Sequence, residues 1–258
     1  MRIEHPAYGL LRPVTETASV LLCNNPGLMT LDGTNTWVLR GRGSDEMVIV
    51  DPGPEDDEHI AKVAELGTIP LVLISHKHED HTGGIDKIVE RTGAVVRSVG
   101  SGFLRGLGGP LSDGEVIDAA GLRITVMATP GHTADSVSFV LDDAVLTADT
   151  VLGRGTTVID NEDGSLGDYL ESLRRLHGLG QRTVLPGHGP DLDDLEAVSA
   201  MYLAHREERL DQVRGALRTL GDDATTRQIV EHVYTDVDEK LWDAAEWSVQ
   251  AQIDYLRR

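Results

Sequence analysis

The sequence predicts an α/β fold with a small helical appendage at its C-terminal end, and two textures carry that reading. Up to about residue 190, β-rich runs alternate with amphipathic helical patterns; from Leu192 onward the pattern is almost wholly helical. Size agrees, because 258 residues, 40% of them hydrophobic, can bury one full core and still leave residues for an appendage. The predicted division is a main domain over 1–200 and an appendage over 201–258.

The first elements are strands. Residues 19–23 (SVLLC), 34–40 (TNTWVLR) and 46–51 (EMVIVD) are short and rich in strand formers, and Pro, Gly and Asn punctuate the gaps between them. Residues 55–67 (EDDEHIAKVAELG) open on acids that suit a helix N-terminus and close at Gly67, which predicts a helix. The acidic run at 55–58 is a helix start rather than a metal site. An apolar run over 69–76 predicts a buried strand, followed by a histidine-rich loop, a helix over 83–93 and a strand over 94–99. Beyond a Gly-rich loop at 100–114 come two β-rich stretches, 115–131 and 136–149, then a helix over 167–179 and a strand over 182–189. The tail reads as helical segments over 192–220, 225–234 and 238–258.

Composition excludes some functions. With 23 Lys and Arg against 43 Asp and Glu, the net charge is −20, which repels polyanions unless positive charge is focused locally, so nucleic acid is disfavoured as a partner and a small molecule is expected. The single cysteine, Cys23, permits no internal disulfide and suits a reducing compartment, where it reads as a small buried apolar residue. No apolar run approaches the ~20 residues of a membrane span, and the N-terminal stretch lacks a continuous apolar core. The expectation is a soluble cytoplasmic protein without a membrane partner.

The stretch SHKHEDHTGG, residues 75–84, concentrates the chemistry. It holds three histidines, an aspartate and a glutamate within positions 76–81, between a buried strand and a helix, where α/β proteins place reactive groups. His76 and His78 are two apart, so continued strand geometry points them to the same side. Several imidazoles and a carboxylate in one small volume are costly as an unpaired core and natural as ligands of a divalent cation. Lys77 and Glu79 alternate with them and point away. Downstream, His132 (TPGHTADS), Asp149 (LTADTVLGRG) and His188 (LPGHGP) each follow a β-run and can return to the same sheet edge. We assign His76, His78 and His132 to one ion, Asp80, His81 and His188 to a second, and Asp149 to the bridge. Two Zn²⁺ per chain are the expected cofactors; iron or manganese suits the same residues.

The order HKHEDH, PGHT, AD, PGHG resembles the metallo-β-lactamase superfamily over roughly residues 18–190. More narrowly, NPGLMTLDGTNTWVL, VDPG, SHKHEDHTGGI and ADTVLGRGTTVI resemble the β-lactamase-like protein 2 subgroup, whose members carry a C-terminal winged-helix-like appendage. The resemblance implies an αββα sandwich with metals at one edge. It also implies activities that include single-stranded RNA cleavage and acyl-carrier thioester hydrolysis. The tail shows no evident β-hairpin wing, so a helical appendage is expected. By the same resemblance, a metal-bridging hydroxide is the nucleophile, Asp80 orients it and shuttles protons, and Asp51 accepts a hydrogen bond from a ligand histidine. Asp149 stands where one large class of true β-lactamases has cysteine, which disfavours antibiotic hydrolysis. The loop 153–158 brings Arg154, Thr156 and Thr157 to the substrate.

The function expected is hydrolysis of a small acyl thioester or ester. The alternatives are an endoribonuclease on single-stranded RNA and, outside enzymes, a metal-binding scaffold for a partner protein. His5, His59, His177, His205 and His232 read as solvent-facing or satisfied structural residues, and Trp242 and Trp247 as packing the appendage onto the main domain.

Overall fold

In the computed structural model, residues 7–160, 162–221, 223–235 and 237–257 are described; His5 lies outside them. The strand runs expected from the sequence form two sheets. The first takes β1 (Leu11–Pro13), β2 (Ala18–Leu22), β3 (Asn35–Leu39), β4 (Glu46–Val50), β5 (Thr68–Leu73) and β6 (Val95–Arg97) in chain order. The second takes β7 (Val116–Ala119), β8 (Leu122–Ala128), β9 (Val137–Val140), β10 (Ala144–Ala148) and β11 (Thr183–Pro186), in the order β11-β10-β9-β8-β7. Each β-rich stretch of the second sheet contains a hairpin: 115–131 turns at Ala120 and Gly121, both at positive φ.

Strand alternation sorts the side chains into layers. Trp37, Leu39, Val48 and Val50 face the second sheet and meet Ile124, Val126, Phe139 and Leu146 in a core between the sheets. Their neighbours Val38 and Ile49 face the other way. There they bury Ile60 and Val63 of α1 (Asp57–Ala64) and Ile85 and Ile88 of the helix Ile85–Thr92. Across the molecule, Val145 and Val184 pack beneath Tyr169 and Leu173 of the helix Leu166–His177 and Tyr202 of the helix Leu195–Leu220. The result is the four-layer αββα sandwich, because both faces of both sheets carry apolar side chains.

In chain order the helices are α1, α2 (Glu79–Thr82), α3 (Ile85–Thr92), α4 (Leu166–His177), α5 (Leu195–Leu220), α6 (Thr226–Val233) and α7 (Trp242–Leu256). Helix α5 runs unbroken through residues 200 and 201, where the sequence division was drawn. Its first half packs on the main domain, while Val213 and Ala216 from its second half join Ile229, Val230, Val249 and Ile253 in a separate core. No strand follows β11 among the described residues, so the appendage is helical. Ala251, Tyr255 and Leu256 of α7 dock it onto the core beneath α4 and α5. Trp242 packs within the appendage rather than onto the main domain, and Trp247, 41% exposed, lines a cleft with Met29, Thr30 and Pro54 of the main domain. Among the described residues, no helix is long and apolar enough to cross a membrane.

Candidate metal centre

The parallel strands deliver the site. β4 pairs parallel with β5, and β10 with β11; Asp51, His76, Asp149 and His188 each lie within three residues of the C-terminal end of one of these strands. His132 comes from the β8–β9 connection. The strand geometry expected to align His76 with His78 ends earlier, at Leu73, and His78 instead caps α2, whose single turn carries Asp80 and His81. Backbone strain sits beside the site: Asp51 and Ala148 hold φ of 55° and 45°, and the β10–β11 register shifts between Leu146 and Ala148, re-aiming the chain at Asp149.

Five imidazoles and two carboxylates converge. His78 Nδ1 lies 3.0 Å from both His76 Nε2 and His132 Nε2, and Asp149 Oδ2 stands 4.0 Å and 3.7 Å from the latter two. On the other side, His188 Nε2 is 3.2 Å from His81 Nε2 and 3.1 Å from Asp80 Oδ2. Asp149 lies between the groups, with Oδ1 3.5 Å from His81 Nε2 and Oδ2 3.4 Å from His188 Nε2. All seven residues singled out in the sequence as ligands are thus brought together, in the two groups drawn there.

The outward nitrogens set the chemistry of the inward ones. His132 Nδ1 faces the Val158 carbonyl at 2.7 Å, His188 Nδ1 the Gly33 carbonyl at 3.0 Å, and His81 Nδ1 the Asp51 carboxylate at 2.9 Å. His78 turns the other way, with Nε2 2.8 Å from Asp160 Oδ2. These partners only accept, so the outward nitrogen of each ring carries the proton and the inward nitrogen of the neutral ring is bare. Bare lone pairs then face one another at 3.0 Å and 3.2 Å, and Asp149 Oδ1 is buried without a hydrogen bond. Such an arrangement is repulsive alone and matches divalent cations. The space beside it is kept by glycine: a Cβ on Gly187 would lie 2.3 Å from Asp149 Oδ1.

Electrostatics point the same way. Burial alone would lower His81, but Asp80, Asp149 and Asp51 outweigh it and push its pKa up to about 9. Burial likewise opposes the rise at His188, which Asp149 and Asp80 nonetheless hold well above the ordinary range. The carboxylates therefore demand positive charge where two protonated Nε2 atoms would collide. His76 and His132 are held low, chiefly by burial and further by neighbouring imidazoles. Asp149 stays ionised against its burial because His188, His81 and His76 surround it.

Around the ligands, Asp51 holds two of them in place. Its Oδ2 meets His81 Nδ1 and accepts from Ser75 Oγ at 2.6 Å, and that hydroxyl lies 2.9 Å from His76 Nδ1. Asp51 also falls in a cluster with His76 and His81, but it faces the outward nitrogen of His81, so it orients that ring. Ser75 and Asp160 were not read from the sequence; Asp160 lies 82 residues from the His78 it orients, and no local motif marks it. Lys77 points away as expected, toward Glu162 and Asp163 at 3.1 Å each.

All three loop residues expected to meet substrate line the cavity beside the ligands, and two of them also hold partners within the protein. Arg154 forms a two-pronged ion pair with Asp32, and the buried Thr157 hydroxyl donates to the Asp149 carbonyl at 2.7 Å, fixing that backbone. The half-buried Thr156 lines the cavity beside the ligands. Among the remaining histidines, His59 is buried against Thr36 Oγ1 at 2.8 Å, His177 lies 3.1 Å from the Glu196 carbonyl and His232 is exposed. His205 lines the same cavity as Thr156.

An αββα sandwich gathering imidazoles and carboxylates at the C-terminal ends of its parallel strands defines a class of metal-binding scaffold. Residues 29–188 match the Metallo-beta-lactamase superfamily, and residues 225–258 match the Beta-lactamase associated winged helix domain. The chain belongs to the metallo-β-lactamase superfamily, whose members are generally hydrolases. It is 28% identical to a beta-lactamase-like protein 2 homolog of Drosophila melanogaster, covering 95% of this chain and 89% of the relative. It is 32% identical to an atrochrysone carboxyl ACP thioesterase of Aspergillus fumigatus, over 83% of this chain and 72% of the relative. A beta-lactamase domain protein from Burkholderia ambifaria shares the fold at a TM-score of 0.82 and 21% identity, covering 98% of this chain and 89% of that one.

Proposed function

We propose that the protein is a dinuclear zinc hydrolase of small acyl thioesters or esters. The observation that carries this reading is a cavity of about 370 Å³ opening on His78, Asp80, His132, Asp149 and His188. Its walls are largely apolar, Leu28, Met29, Leu31, Leu152 and Val158 among them, a lining that desolvates an acyl group. The net charge of −20 opposes binding of a polyanion. The Aspergillus relative, named as an acyl-carrier thioesterase, supports the same substrate class. The buried thiol of Cys23 suits a reducing, cytoplasmic setting.

His76, His78 and His132 would hold one ion, Asp80, His81 and His188 the other, and Asp149 both. Zinc held there supplies Lewis acidity toward the substrate carbonyl and lowers the pKa of water toward neutrality. The chain's own groups do the remaining work. Asp80 stays ionised despite its burial because His81 and His188 stabilise its charge, and its carboxylate borders the cavity. It is placed to accept a proton as water oxygen bonds to the acyl carbon, and to return one to the leaving thiolate as the C–S bond breaks. Asp51 keeps the His81 tautomer fixed throughout.

The test is a parallel assay of zinc-loaded protein on an acyl thioester, S-lactoylglutathione, single-stranded RNA and a chromogenic β-lactam, at roughly 50 and 200 mM salt. The acyl thioester is expected to give the highest kcat/KM. Zinc-dependent RNA cutting that Asp80→Ala abolishes, with no acyl substrate turned over, would replace this reading with the nuclease.

A further inference from the structure

The inner wall of the cavity contains a buried cation with no counter-ion among the described residues. Arg206, on α5, is 4% exposed, and its guanidinium donates to the Thr157 carbonyl and lies 5.0 Å from the centre of the Tyr169 ring. Its Nε has no hydrogen-bond partner, and no carboxylate among the described residues pairs with it. A buried guanidinium left this way is costly to the fold, and an anion reaching it relieves that cost. The planar fork of arginine suits a carboxylate in particular.

The surroundings say where such an anion sits on the substrate. The ligand residues line this cavity together with Tyr234, Val237, Leu241, Ala244 and Ala245 of the appendage. Arg209, one turn further along α5, stacks 4.6 Å from the Tyr234 ring centre and borders the same space. A second cleft, of about 500 Å³, shares Met29, His78, Asp80, His132 and Val158 with the first and extends past Trp247. Glu79 and Asp160 line this outer cleft. The reactive bond therefore lies between an inner chamber lined by Arg206 and an outer cleft lined by Glu79 and Asp160, and an anionic group is favoured only on the Arg206 side.

We propose that the inner chamber receives the acyl group and that Arg206 selects acyl groups bearing a carboxylate, while the leaving thiol runs out along Met29 and Trp247. The appendage is then the specificity wall of the enzyme. This rests on the acyl-hydrolase reading and adds to it which acyl group is preferred and which residues choose it.

The experiment compares kcat/KM for adipoyl, hexanoyl and acetyl thioesters of N-acetylcysteamine, using the zinc-loaded full chain. Wild type is expected to prefer adipoyl over hexanoyl by about tenfold or more, the scale of a charge-assisted hydrogen bond in a dry site. Arg206→Gln is expected to erase that ratio and Arg206→Lys to keep part of it. Because Arg206 also holds the Thr157 carbonyl, the ratio is read rather than the absolute rate. If Arg206→Gln fails to fold by circular dichroism, Ala244→Phe tests the chamber from α7 and is expected to cut hexanoyl and adipoyl turnover at least tenfold more than acetyl turnover. Turnover without a carboxylate preference in the wild type, or equal loss on all chains in Ala244→Phe, overturns this proposal and leaves the hydrolase reading standing. No acyl turnover at all overturns both.

Discussion

At the scale of single residues, the site is a set of imidazoles whose outward nitrogens are pinned so that bare inward nitrogens face one another. Asp51 has the widest reach, because it binds His81 directly and His76 through Ser75. Asp51→Asn weakens both supports, and metal retention in a chelator titration is expected to fall by about ten- to a hundredfold. Removing ligands themselves separates their roles. Asp149→Ala is expected to lose metal and rate together, since Asp149 stands between both groups. Asp80→Ala is expected to lose far more rate than metal from the group His76, His78 and His132, which it leaves intact. Equal, mild losses in both variants would contradict these roles. The ligands were legible in the sequence because six consecutive positions concentrate donor types and three later donors follow β-runs. Ser75, Asp160 and Arg206 were not, because each acts across tertiary contacts that no spacing records.

At the scale of elements, the strands that bury both faces were legible as apolar runs, and the exposed ones were not. β1 (Leu11–Pro13) is exposed at every position and contains proline, so it carries neither periodicity nor an apolar signal. The brief helix α2 hid inside a loop because four residues are too few to show a period. α1 (Asp57–Ala64) carries a pH-sensitive contact: His59 is buried against Thr36, and burial pushes its pKa down from 6.5 to about 4. The unfolded chain takes up the proton first as pH falls. Stability from keeping this ring neutral is therefore complete above about 6.5 and is lost progressively toward pH 4, by about 3 kcal/mol in total. Urea unfolding at pH 7 and pH 4.5 is expected to show a loss in the wild type that His59→Gln largely lacks. An equal loss in both proteins would place the acid sensitivity elsewhere.

At the scale of the whole molecule, an acidic chain of net charge −20 holds buried positive potential at Arg206 and a demand for cations at the sheet edge. Helix α5, 26 residues long and so about 39 Å, joins these features, anchoring in the main domain at one end and in the appendage core at the other. The αββα layers were legible through the resemblance, since periodicity alone marks strands and helices but not which sheet a strand joins. That the appendage lines the cavity beside the ligands was not legible, because it depends on how α5 and α7 fold back over the sandwich. On the proposed reading, the two groups around Asp149 hold two metal ions. Elemental analysis of the chain after zinc reconstitution and removal of loose metal tests it most directly. Close to two ions per wild-type chain are expected, and one ion or fewer would rule out the dinuclear site.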